Sequence, residues 1–135
     1  MNNAESGADL TRWIDENMTA EPTNILWEQR ERAAKFVFVA TDGSVVVKPN
    51  EKFTDRRRIL AYFVGKPYAA ARGHAPDDIV TTPELVTRLG LPEGTVYARV
   101  KELKDSHLIE SVENGRYRLP IPTISRALDE LENTK

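Results

Sequence analysis

Thr81-Thr82-Pro83-Glu84-Leu85-Val86-Thr87-Arg88-Leu89-Gly90-Leu91-Pro92-Glu93-Gly94-Thr95-Val96-Tyr97 opens the stretch that decides the fold, which runs on to Pro120. Thr82 reads as a helix N-cap, with Pro83 at the first helical position, Glu84 in the first turn and Leu85, Val86 and Leu89 facing inward. Gly90 ends that helix. Pro92-Glu93-Gly94-Thr95 then opens a second one, in which Val96, Val100 and Leu103 repeat at i, i+4 and i+7 and mark a buried stripe. Its outward face is Glu93, Thr95, Tyr97, Ala98, Lys101, Glu102 and Lys104. Leu108 to Glu113 and Arg116 to Leu119 flank Asn114-Gly115, the strongest short hairpin signal. The order is helix, turn, helix and β-ribbon.

Upstream, Thr54 or Asp55 can cap a helix with Ile59, Leu60 and Phe63 at helical spacing. Pro67 is expected to break or kink it, with about one more turn from Tyr68 to Arg72 and a loop over 73–80. In the first 53 residues, Ser6 to Asp9 has capping-box spacing before a short helix ending near Asn17, and 19–24, with Pro22, reads as a linker. Ile25 to Ala34 reads as a solvated helix, with Trp27 anchoring it to something apolar; Trp13 and Trp27 are both read as core. Lys35 to Lys48, with Asp42-Gly43 between two β-branched runs, predicts a hairpin that packs within the chain, because two strands alone are marginal in water. Downstream, Ile124, Ala127, Leu128 and Leu131 share one face of a terminal amphipathic helix.

The 135 residues, 40% apolar with 7 Gly and 8 Pro, suit one compact α+β domain with appendages. The division read from the pattern is 1–53, an N-terminal helix and β-hairpin extension; 54–120, the central domain; and 121–135, the C-terminal helix. With no Cys, disulfides, thiolate metal sites and cysteine nucleophiles are excluded together. No stretch approaches the roughly 18 to 20 apolar residues that span a bilayer, and Met1-Asn2-Asn3-Ala4-Glu5-Ser6 lacks a signal peptide's order, so a cytoplasmic protein away from the membrane is expected. Net charge is −2, unlike a typical nucleic-acid binder, but it is unevenly placed: −3 over 1–53, +2 over 54–120 and −1 over 121–135. The one net basic part holds the two-helix and hairpin pattern.

With those residues in view, Thr54 to Leu119 resembles the winged helix-turn-helix superfamily of prokaryotic, especially archaeal, regulators. Thr81 to Leu85, Leu89 to Leu103 and His107-Leu108-Ile109-Glu110 carry the likeness over about half the chain. The resemblance implies that the helix over 92–106 enters the DNA major groove while the 108–119 wing lies on the backbone. It implies phosphate contact for Thr95, and base-edge or backbone contact for Tyr97, Ala98 and Lys101. Glu93 stands where a basic or small polar residue is frequent, and Ala98 where Arg or Gln often reads a base, so direct sequence readout is expected to be limited.

Other cations point the same way. Arg56, Arg57 and Arg58 begin a helix, where positive charge opposes the macrodipole unless an anion lies nearby; a phosphate or Asp55 can supply it. Arg116 and Arg118 alternate on one strand and share a face, with Tyr117 on the other. Lys101 and Lys104 are read as backbone contacts, and Arg99 as divided between DNA and an intrahelical pair with Glu102. His74 with Asp77 and Asp78 has no recognised ligand spacing and reads as a solvated loop, His107 as a helix C-cap, and Ser44 as turn chemistry. There is no phosphate-binding loop, dinucleotide fingerprint or convergent titratable set, so no enzyme and no cofactor is expected. The expected partner is double-stranded DNA, and the expected role transcriptional regulation. A homodimer has two routes, the N-terminal extension or the C-terminal stripe. The rival is a winged-helix protein-interaction module, an adaptor or complex subunit that does not bind DNA.

Overall fold

The computed structural model describes residues 3–18, 21–73 and 77–133. In chain order the elements are α1 (Asn3–Asn17), α2 (Pro22–Glu28), α3 (Arg30–Ala34), β1 (Val37–Val39), β2 (Val45–Val47), α4 (Asp55–Arg72), β3 (Val80–Thr81), α5 (Thr82–Leu89), α6 (Glu93–Asp105), β4 (Glu110–Glu113), β5 (Arg116–Arg118) and, after a 3-10 turn over Ile121–Thr123, α7 (Ile124–Glu132). The architecture is α+β. One sheet is the antiparallel pair β1-β2, and the other is three-stranded and antiparallel in the order β3-β5-β4.

α4 is the hub, packing against β1 and β2 on one side and α5, α6 and α7 on the others. Enclosure on several sides explains why Ile59 to Gly65 is buried without a break instead of showing a single apolar stripe. It also explains Pro67, which does not interrupt the helix as the sequence suggested: α4 continues to Arg72 and is ended by Gly73 at φ 86°. Proline in a helix interior costs about 3 kcal/mol, and the burial around α4 outweighs that local penalty. Thr54 is the N-cap, its hydroxyl accepting from Arg57 N at 3.3 Å.

The capping of α5 sits one residue earlier than expected. Thr81 is the cap, accepting from Glu84 N at 3.2 Å, and Thr82 is a buried first-turn residue. Gly90 (φ 65°) closes α5, and its N–H donates to Val86 O. α6 buries Val96, Val100 and Leu103, the stripe read from spacing. It ends with His107 in the left-handed region, Leu108 N donating to Leu103 O and His107 N to Lys104 O. β4 and β5 pair Glu110 with Arg118 and Ser111 with Tyr117, with a bulge before Glu113 pairs with Arg116, and Gly115 (φ 77°) makes the turn.

The ends of the chain differ more from expectation. α1 begins at Asn3, so Ser6 lies inside the helix and is not its cap. Leu10 and Trp13 are 60% and 55% exposed, and Trp27 is 64% exposed with the Arg30 guanidinium 3.6 Å from its ring centre. Neither tryptophan is core: Trp27 is covered by a cation–π contact. Part of the expected linker is helical, because Pro22 takes the first position of α2, where its missing N–H costs nothing. The solvated helix of 25–34 is two pieces joined at Gln29. The β1-β2 hairpin packs within the chain as expected, against α4 at Gly65, where a Cβ would overlap Val45 Cγ1.

Candidate nucleic-acid interface

The surface of α6 follows from its spacing. With Val96, Val100 and Leu103 buried, Gly94, Tyr97, Ala98, Lys101, Lys104 and Asp105 fall on one exposed stripe, and Tyr97 is 52% exposed. Lys101 and Lys104 form no ion pair with any described residue and leave two free cations on that stripe. Thr95 is half-buried at the start of the helix, beside exposed Glu93. Glu93 and Tyr97 share a cleft of about 200 Å³ with Pro83, Val86 and Thr87 of α5. Arg99 resolves toward the intrahelical pair, its Nη2 lying 2.9 Å from Glu102.

The β4-β5 hairpin divides its side chains as alternation requires. Arg116 and Arg118 are exposed, while Tyr117 between them is half-buried. Arg118 donates to Glu110 Oε1 at 2.7 Å, the neighbour its register assigns it, and that hydrogen bond keeps the guanidinium charged above its already high ordinary range. The pair is nearly half exposed and therefore contributes little to stability. Arg116 has no ion-pair partner among the described residues.

The cations at the start of α4 are placed otherwise. Arg56 makes a two-pronged contact with Glu130 of α7, Nε to Oε2 at 3.1 Å and Nη2 to Oε1 at 2.9 Å, and lies 3.6 Å from Glu102. Arg57 donates to the main-chain oxygens of Glu130 and Asn133, at 3.3 and 2.9 Å, and so caps the C-terminus of α7. Arg58 reaches the carbonyl of Leu89 at 2.9 Å. The anions at this helix start are Glu130 and Glu102 of the same chain beside Arg56, and Asp55, 3.9 Å from Arg58. Arg56 and Arg57 are thus engaged within the chain and are weaker candidates for phosphate contact than Lys101, Lys104 and Arg116. The same docking corrects the C-terminal dimer route, because Ile124, Ala127, Leu128 and Leu131 are all fully buried against their own domain.

Two polar clusters had no sequence signal. Glu84 accepts from the Tyr62 hydroxyl and from Lys66 Nζ at 2.6 Å, tying α5 to α4. Burial, and then this carboxylate, push the Tyr62 phenol above its ordinary range. Arg32 of α3 donates to Glu132 at 2.6 Å and Asp129 at 2.6 Å, which fastens the N-terminal part to α7 and holds the Glu132 carboxyl below its usual range. These partners stand 18 to 100 residues apart, where no local pattern connects them. The reading of His74 lies outside the described residues. Among the described residues no group of His, Asp and Glu could hold a metal ion, and no helix is long and apolar enough to cross a membrane. No family model, curated protein or solved structure matches the chain.

Proposed function

We propose that residues 54–120 are a winged helix-turn-helix domain and that the chain is a non-enzymatic, cytoplasmic DNA-binding protein acting as a transcriptional regulator. The observation that carries this reading is the exposed stripe of α6, where Tyr97, Ala98, Lys101 and Lys104 lie together and both lysines lack ion-pair partners among the described residues. Support also comes from the element order α4-β3-α5-α6-β4-β5 and the strand order β3-β5-β4, which set a two-helix unit before a hairpin carrying Arg116 and Arg118. In this reading α6 lies in the major groove with Thr95 at a phosphate, and the hairpin holds the adjoining backbone.

The binding has a definite character. Ala98 has no hydrogen-bonding group and Glu93 repels phosphate, so affinity rests on Lys101, Lys104, Arg116 and Arg118 and is only weakly sequence-selective. Titrating fluorescein-labelled random duplex DNA across a salt series tests it: affinity falls linearly with log salt, and Lys101→Ala lowers the slope by about one unit. The protein-interaction reading is favoured by one feature, the exposed apolar residues Leu10, Trp13, Met18 and Trp27 in the net acidic N-terminal part.

A further inference from the structure

We propose that the outer edge of β2 receives an extended, carboxylate-bearing peptide segment from a protein partner, added as a third strand. The hairpin's ladder fixes which main-chain groups are used: Ala40 N donates to Ser44 O and Lys48 N to Phe36 O. Antiparallel alternation then turns the N–H and C=O groups of Val45 and Val47 away from β1, and no other described residue takes them up. An unpaired row of this kind is a template for another strand.

The edge opens onto a groove of about 560 Å³, whose far wall is formed by Arg58 of α4 and Arg88 and Leu89 of α5. Half-buried Val47, Phe53 and Leu89 supply its apolar floor. The charged groups facing it are Arg58, Arg88 and Lys48 against Asp42. Asp42 stays charged, accepting from Ser44 N at 2.9 Å and from the Ser44 hydroxyl at 2.5 Å. Lys48 donates to Ala34 O and Arg58 to Leu89 O. Three cations against one carboxylate leave a net positive lining, in which Arg88 is the cation without a hydrogen bond among the described residues. The net positive lining favours an acidic strand from another protein over a second copy of this hairpin, whose β2 is followed by Lys48 and carries no carboxylate. The site is separate from the α6 stripe and does not depend on DNA binding.

Fluorescence polarisation with a fluorescein-labelled heptapeptide of alternating Asp and Val tests the proposal on the full chain. Saturable binding is expected. It should weaken by at least about tenfold for the peptide with Lys in place of Asp, for the Arg88→Glu protein, and for the same peptide N-methylated at alternate residues, since the first two remove charge complementarity and the third removes main-chain donors. Arg88 is exposed, and circular dichroism checks that its variant is folded; the N-methylated peptide leaves the protein untouched. No saturable binding, equal affinity for the Lys peptide, or affinity unchanged by N-methylation overturns the proposal. So does a concentration-dependent dimer abolished by Val47→Pro, which assigns the edge to a second copy.

Discussion

Arg56 is held by two hydrogen bonds to Glu130, in a setting where both side chains are less than one-third exposed. Hydrogen bonds to charged groups are worth about 1.5–3 kcal/mol, so Arg56→Ala should lower folding stability by about that much in urea denaturation while leaving the salt slope of DNA binding unchanged. Unchanged stability with a lower slope would return Arg56 to the interface. His107 makes the opposite case. It is the one non-glycine with positive φ among the described residues, at 60°, in a helix-ending motif whose hydrogen bonds are all main-chain. Left-handed backbone costs a side-chain-bearing residue about 1–2 kcal/mol, and glycine gives back part of that through greater freedom in the unfolded chain. His107→Gly should therefore raise stability by about 0.5–1 kcal/mol, and a lower urea midpoint would show that the imidazole makes a contact that outweighs the strain.

Between elements, α4 meets β2 tightly at Gly65. A methyl there overlaps Val45 Cγ1, and overpacking of this kind costs about 1–3 kcal/mol. Gly65→Ala should be destabilised by that amount, and Gly65→Ala combined with Val45→Ala by less than the sum of the two singles, because the second change removes the overlap; additivity would mean the hairpin moves aside freely. The limits of α5 and α6 and the β4-β5 turn were legible in the sequence, since Gly90, Pro92 and Asn114-Gly115 act on main-chain groups within about four positions. The one-residue shift from Thr82 to Thr81 arose because two adjacent threonines compete for one cap. Pro67, Trp13 and Trp27 were misread for a different reason. A local penalty or a hydrophobic side chain has its consequence only in the packing around it, and that packing is made by residues far away in the chain.

At the scale of the molecule, α7 packs on α4 and is fastened by Arg32 of α3 and Arg56 and Arg57 of α4. The exposed stripe of α6 and the β4-β5 hairpin keep Lys101, Lys104 and Arg116 free of ion pairs with the described residues. The site was legible to the same degree as its causes were local. The exposure of Lys101, Lys104 and Arg116 follows from helical and strand periodicity, whereas the pairing of Arg56 was not legible because Glu130 stands 74 residues away. On this reading a chain with net charge −2 that carries Lys101, Lys104 and Arg116 free of ion pairs on α6 and the β4-β5 hairpin should bind duplex DNA through those few contacts, with affinity set by salt. Fluorescence anisotropy of labelled random duplex DNA from low to physiological salt measures this most directly. We predict a linear fall of log affinity with log salt, whose slope shrinks by about one unit each for Lys101→Ala, Lys104→Ala and Arg116→Ala; absence of salt-sensitive binding at low ionic strength, or a slope unchanged in all three variants, would contradict it.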